Sequence, residues 1–575
     1  MAAAADMMVD HEPWRLRAAG LSALGLVLAL VIDFLLDGGG ERVSEDPVRL
    51  AAASFAAVSG LAFGFTLERV RPIWSAAFAI IAGIVVALVF YWNGSPSGQS
   101  AGDEWRIFSA LLVVAIAAPL FQTARDEGRW QLDYAPIHAH AWTNIVLWCA
   151  AWAFVLITWL MVQLLAELFN LIGIDLLREA LKESTFNAAI IGAALGGAIG
   201  LLRDRDHVLG MLQRVVTTVL SVLAPVLAGG LVLFVLALPF TGLKPLWDKT
   251  SATTPILLFA VAGAFLLVNA VIGNSPAEEA KGRVLRLSAM ALAAVMAPLA
   301  IVAAISTWLR IDQYGFTPER LWAATFVLVV LAVSLAYAWN VVRGRLAWAD
   351  RVRPTNVQLG LGICVIALLL ATPLINFGAI STRDQVARLA AGQVKPEEFD
   401  WAALRFDFGP SGRAALERLR ASGPADLRAL AARALASKDR WIAAEQVRTN
   451  RISSQLAQTL RVIPRPAPVP EALRLGISQS NACQFGPCTL IWSEGASDAV
   501  AVGLPCETCQ VAVARLAVDA KGHWQVLPST GPDIVTGAPS DAAAQRRAIE
   551  AGQVEVRTVQ RRQVFLGGKP VGSSF

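Results

Sequence analysis

Four cysteines crowd one stretch of this 575-residue chain, as Cys483-x4-Cys488 and Cys506-x2-Cys509 with seventeen residues between the pairs. In an oxidising compartment such a group forms two disulfides whose pairing the spacing leaves open. In a reducing compartment the same spacing makes a four-thiolate zinc ribbon. Redox work by Cys506 and Cys509 would need the motif to open a helix, yet the run that follows, Val511-Ala-Val-Ala-Arg-Leu-Ala-Val518, alternates as a strand does. The compartment decides the chemistry, and topology decides the compartment.

Other reactive types are sparse and lie in or beside apolar runs. Asp33 and Glu167 interrupt two of them; a carboxylate there is either hydrated at the membrane interface or part of a shared proton or cation site opening outward. His138 and His140 flank Ala139, close to Asp133 and Tyr134, and imidazoles near neutrality are candidate proton or metal sensors. Positions i and i+2 do not share a helix face, so joint ligation needs an extended backbone, and packing or capping is the plainer reading. Pro225 and Pro298 stand in the similar strings Val-Leu-Ala-Pro-Val-Leu and Val-Met-Ala-Pro-Leu-Ala, where helix breaks at mid-membrane would line a solute path, though kinked helices re-satisfied by their neighbours are the commoner outcome. Gly192, Gly196 and Gly200 repeat every fourth residue, which lets another helix approach closely, from this chain or a second copy. Trp148, Trp152 and Trp159 form a stripe of packing or interfacial anchors. No phosphate loop, dinucleotide glycine motif, His-Glu-x-x-His or Gly-x-Ser-x-Gly occurs, which argues against an ATP-driven pump and a membrane zinc protease.

These groups are carried by apolar runs too long for ordinary core helices. Charged residues make up only 16% of the chain, against roughly 25% in soluble domains, and the deficit falls between about Ala18 and Leu374. Runs of ~18 residues match the ~30 Å hydrocarbon core of a bilayer, where a helix satisfies its own backbone. Eleven spans are predicted, near residues 18–36, 50–67, 73–92, 105–121, 142–169, 185–202, 215–238, 254–272, 287–308, 320–342 and 356–374. The first is too long for a signal peptide and no cleavage site follows it directly. The fold class is an all-α polytopic transmembrane bundle over residues 18–374, followed by soluble parts.

The links between spans alternate in charge. One set, running from Arg15 and Arg17 to Arg351 and Arg353, holds sixteen basic residues; the other holds seven. The richer set belongs in the cytoplasm together with residues 1–17. An odd number of spans then puts the C-terminal part outside, in a periplasm or its equivalent, and its four cysteines into disulfides. The net charge of +5 reflects this loop bias and not nucleic-acid binding.

Beyond the spans, residues 375–463 read as an extracytoplasmic helical segment. Ser411 caps a helix at Ala414–Leu419, and Pro424 opens another. Residues 464–471 are a Pro-rich linker, with proline at every second position from Pro464 to Pro470. Residues 472–575 read as a small β-rich domain, with strands near 490–492, 511–513, 524–526 and 554–559 and turns at Lys521-Gly522 and Gly567-Gly568. Between the fifth and sixth spans, Leu176, Leu177, Ala180 and Leu181 oppose charged neighbours as in a short surface helix.

Four stretches carry a family resemblance: Phe63-Gly-Phe-Thr-Leu-Glu-Arg-Val-Arg71, Asp133-Tyr-Ala-Pro-Ile-His-Ala-His140, Leu238-Pro-Phe-Thr-Gly-Leu-Lys-Pro-Leu-Trp247 and Gln313-Tyr-Gly-Phe-Thr-Pro-Glu-Arg-Leu-Trp322. They resemble the bacterial polytopic membrane proteins grouped as domain of unknown function 4153, over roughly residues 15–420. The resemblance implies a bacterial inner-membrane protein and brings no catalytic residue with it.

Three function classes follow. The first is a membrane-anchored envelope protein whose external part binds a partner or relays a signal. The second is a secondary transporter or channel, and the third an enzyme on lipid-linked substrates, for which no residue set stands out. No cofactor and no metal is expected; the partners expected are the lipid bilayer and either another envelope protein or a second copy of the chain.

Overall fold

The computed structural model describes residues 14, 16–37, 46–94, 100–243, 245, 252–396, 398–463, 466–480, 482–504, 511–520, 522–527, 542–551, 553–554, 564–566 and 569–571. The chain forms two compact units, Met1–Gln385 with Asp407–Gly412, and Val386–Phe406 with Arg413–Phe575.

The first unit is helical. Its elements are α1 (Arg17–Asp37), α2 (Pro47–Thr66), α3 (Pro72–Asn93), α4 (Glu104–Glu127), α5 (Tyr134–Leu171), a one-turn α6 (Leu176–Ala180), α7 (Ser184–Arg203), α8 (Asp206–Thr241), α9 (Thr253–Ile272), α10 (Arg283–Tyr314), α11 (Pro318–Gly344), α12 (Trp348–Ala371) and, as far as Gln385, α13 (Phe377–Ala390). Among the described residues eleven helices, α1–α5 and α7–α12, are long and apolar enough to cross a bilayer. The chain is a multi-pass membrane protein. Proline at the first helical position starts α2, α3 and α11, where its missing N–H has no intrahelical partner to lose. The 38 residues of α5 extend ~57 Å at ~1.5 Å per residue, well past the ~30 Å of hydrocarbon. The surplus lies mostly at its start, eight residues before the predicted span at 142.

Two halves of this unit have separate cores. Leu292, Met296 and Leu299 of α10 are fully buried among Val261 and Val268 of α9, Tyr337 of α11 and Val352 of α12. On the other side, α2, α3 and α4 close on Val86 and Ala110, while α1, α5 and α7 close on Leu147, Ala151 and Ala198. Of the two readings of Pro225 and Pro298, a helix break and a continuous helix supported by its neighbours, the second is found: α8 and α10 run on through them. Packing on both sides of α10 holds the helix together where a single turn loses its hydrogen bond.

The second unit contains α14 from Arg413 onward (Gly409–Ser422), α15 (Ala425–Ala436), α16 (Arg440–Thr459), α17 (Glu471–Gln479), α18 (Ala542–Glu550) and a five-stranded sheet. The strands β1 (Leu460–Ile463), β2 (Phe485–Ile491), β3 (Asp498–Leu504), β4 (Ala512–Val518) and β5 (Trp524–Val526) lie in sequence order. β1 runs parallel to β2, with Leu460 opposite Cys488, and the later pairs are antiparallel, with Val500 opposite Arg515. A separate hairpin joins β6 (Val564–Leu566) to β7 (Lys569–Val571). Ile452 and Leu456 of α16 and Leu473 and Ile477 of α17 cover the sheet and meet Leu490, Trp492 and Leu516.

This arrangement revises three expectations. The proline run does not separate a helical segment from a sheet domain, because β1 and α16 precede it and belong to the same sheet core. Ser411 lies inside α14 and not at its start, since the helix begins at Gly409. Strands β1 and β3 were not anticipated, and of the predicted strand at 554–559 all but Val554 lies outside the described residues, as do Lys521, Gly567 and Gly568.

Candidate functional site

The last carbonyls of a helix have no intrahelical partner and need one from elsewhere. At the end of α2 each is taken by a long side chain from elsewhere. Phe65 O accepts from Gln122 Nε2 at 2.9 Å and from Arg203; Thr66 O accepts from Ser75 Oγ at 2.7 Å and from Arg125; Leu67 O accepts from Arg17. Cations here also complement the negative end of the helix dipole. Glu68 supplies the countercharge, 3.4 Å from Arg17 and 3.5 Å from Arg203. Burial of Glu68 opposes its charge, but Arg17, the Arg69 backbone N–H and Arg203 together hold its carboxyl below the ordinary carboxylate range. Gly128, at φ +71°, lets the Arg71 guanidinium lie against the chain, where a Cβ would collide with it.

A second knot closes α9. Arg353 donates to Ile272 O at 2.7 Å and pairs with Glu279 at 3.1 Å and Asp350 at 2.5 Å. Beside it lies a polar ring inside the apolar bundle. Asn269 Nδ2 donates to Tyr337 Oη at 2.9 Å, Tyr337 Oη donates to Asn356 Oδ1 at 2.7 Å, and Asn356 Nδ2 donates to Asn269 Oδ1 at 2.7 Å. The ring ties α9, α11 and α12 together.

The start of α5 brings two more polar groups to this ring. The Tyr134 and His138 rings meet at a tilt of 43° with centroids 5.2 Å apart, and both lie within the electrostatic reach of Arg353. Trp142 Nε1 donates to His138 Nε2 at 3.0 Å, which leaves the imidazole proton on Nδ1. That Nδ1, the Arg353 Nε and the Tyr134 hydroxyl are buried without a hydrogen bond of ordinary geometry, although the hydroxyl approaches Asn356. Two buried donors without acceptors, beside the Tyr134 hydroxyl and a closed amide–phenol ring, can hold an acceptor.

The residues expected to do chemistry are placed as follows. His138 and His140 are both helical and turn apart: His140 Nε2 meets Asp126 at 3.2 Å on α4, so the pair does not converge on one metal. Among the described residues no group of three His, Cys, Asp or Glu side chains stands close enough to hold a metal. Asp33 accepts from Thr185 Oγ1 at 2.8 Å, while Glu167 is exposed on α5 and shares no hydrogen bond with it. Gly192, Gly196 and Gly200 lie against Gly25, Leu21 and Ala18 of α1, so their partner is within this chain. Trp148 and Trp152 meet edge to face at 5.7 Å. Cys483 and Cys488 form a disulfide buried in the sheet core; Cys506 and Cys509 lie outside the described residues.

The sequence does not single out Asn269, Tyr337 or Asn356, and marks Arg353 only as one of the link charges. The available signal was a neutral amide or phenol inside each of three neighbouring spans, at Leu-Val-Asn269-Ala, Leu-Ala-Tyr337-Ala and Pro-Thr-Asn356-Val.

Two of the four stretches that carry the family resemblance thus map onto these features, Phe63–Arg71 onto the α2 knot and Asp133–His140 onto the approach to the ring. A third, Gln313–Trp322, forms the turn from α10 to α11, where the Phe316 N–H donates to Asp384 at 2.8 Å. Comparison with curated proteins and with solved structures gives no match. A family model described as a domain of unknown function (DUF4153) matches residues 52–419, from α2 into α14 and short of the sheet. With well over half of its length under that model, the chain belongs to the DUF4153 family.

Proposed function

We propose that this chain is a bacterial inner-membrane protein whose periplasmic C-terminal unit binds an envelope partner while the helical bundle anchors it. The observation that carries the reading is the Cys483–Cys488 disulfide inside the sheet core, since disulfides persist in oxidising compartments. Loop charge supports the same side for this unit. Arg106 and Arg320, at helix starts on the poorer side, raise its basic count from seven to nine against sixteen and leave the bias intact. A groove of about 900 Å³ lined by Arg433, Lys438, Trp441, Glu445 and Leu475 offers aromatic and guanidinium anchors of the kind that dominate binding surfaces. In a deletion strain, a chain ending after Gly412 is expected to insert but not to restore envelope composition. Full complementation by that truncated chain contradicts the reading.

A second reading rests on the buried Asn269–Tyr337–Asn356 ring with Tyr134 and His138 beside it. Polar groups inside a bundle mark ion or proton pathways, so the bundle would carry proton-linked solute movement. His138→Gln then abolishes flux in reconstituted vesicles with insertion unchanged; unaltered flux removes the reading.

A further inference from the structure

We infer that a groove between α1, α2 and α7 holds one acyl chain of a phospholipid whose primary-amine headgroup pairs with Asp33. The groove follows from the glycine stripe. Because Gly192, Gly196 and Gly200 carry no side chains, the α7 backbone rests on the α1 backbone, and the two helices leave a seam on the side toward α2. There α2 lines it with Ala56, Ala57, Gly60, Leu61 and Gly64, of which Leu61 alone carries a long side chain. The resulting space is about 350 Å³ and is lined by aliphatic side chains from Leu21 to Leu36 of α1. Fifteen residues of helix give it a length of ~22 Å. A second copy's helix, ~10 Å across with its side chains, cannot enter a space so long and thin; a single hydrocarbon chain can.

Asp33 is the one ionisable residue in that lining. It stands sixteen residues along α1 from Arg17, or ~24 Å, while Arg17 is tied into the Glu68–Asp204 ion cluster at the opposite end. The carboxylate therefore lies toward the headgroup level of the far leaflet, at the open end of an apolar seam. Thr185 gives it one hydrogen bond at 2.8 Å, and among the described residues no cation pairs with it. A carboxylate beside hydrocarbon is costly unless a charge and further donors meet it. A primary ammonium supplies both, with short charge-assisted N–H···O bonds; a trimethylammonium supplies charge without a donor. The occupant must join a cation to an aliphatic chain, which describes an amine-headed phospholipid.

The test uses the full-length protein reconstituted with phosphatidylethanolamine, its mono-, di- and trimethylated forms and phosphatidylglycerol, all with identical chains. Native mass spectrometry then counts the lipids retained. The wild-type protein is expected to keep one lipid, enriched roughly tenfold for the primary amine over the trimethyl form and falling with each methyl group. Asp33→Asn keeps a lipid but brings that enrichment to about one, and Ala57→Phe, which fills the seam, loses the lipid. The methylation series needs no variant and so stands even if a substitution disturbs folding. Retention without headgroup preference in the wild-type protein, a lipid-free monomer or a lipid-free dimer would each overturn the proposal.

Discussion

The Arg353 guanidinium donates to the Ile272 carbonyl oxygen at 2.7 Å, as Arg125 donates to Thr66 O at the end of α2. Both arginines cap a helix end and pair with a carboxylate, Arg353 with Glu279 of the following link and Arg125 with its neighbour Asp126, while Glu68 of the link after α2 pairs with Arg17 and Arg203. Much of the basic charge that sets topology is thus fixed in helix-end bonding. The interior is left to neutral polar groups, of which the ring around Tyr337 is the main example.

Replacing Tyr337 by Phe removes the hub of that ring and leaves Asn269 and Asn356 each short of a partner. A loss of about 1–2 kcal/mol is expected in the detergent-solubilised protein. Thermal unfolding of Tyr337→Phe, Asn356→Leu and the double variant checks it: the two losses should fall well short of additive.

Gly196→Leu places a side chain where the Leu21 backbone already sits. Separation of α1 from α7 should lower the melting temperature sharply or prevent recovery of folded protein. Gly210→Ala is the control, because nothing lies within 4 Å of its added Cβ, and it should be neutral or slightly stabilising.

Glu68 gives a pH signature. Its folded-state carboxyl titrates below its ordinary 4.5, so its contribution is present in full above that value and disappears as pH falls through the depressed folded value. Melting temperature measured from pH 7 downward should therefore drop below about 4.5, and Glu68→Gln should begin lower and flatten that limb.

Reducing the Cys483–Cys488 bridge opens a loop of sequence separation 5. On chain-entropy grounds the second unit loses about 2 kcal/mol. Limited proteolysis of the full chain with and without reductant should show faster cleavage within the sheet domain and an unchanged pattern in the helices.

The spans were legible because hydropathy is a local property: each apolar run announces its own helix. The bundle's polar ring was not, since its partners are separated by 68 and 87 residues and a single Asn or Tyr brings no charge to mark it within an otherwise apolar span. The same reason hid β1. Leu460–Ile463 follows α16 without a turn signal, and only its parallel pairing with β2, across the proline run, makes it a strand. Strand β3, Asp498–Leu504, is rich in Ala and Gly and has a weak alternation, so its place depends on neighbours on both sides. The glycine stripe was readable as a close contact, but its partner required the chain to fold.

The side of the membrane on which residues 413–575 lie can be read in intact cells. A C-terminal tag is probed with an impermeant protease, and Cys483 and Cys488 are alkylated before and after reduction. Tag cleavage in unbroken cells, with both thiols alkylated only after reduction, is the expected result. A protected tag with freely alkylated thiols would contradict it.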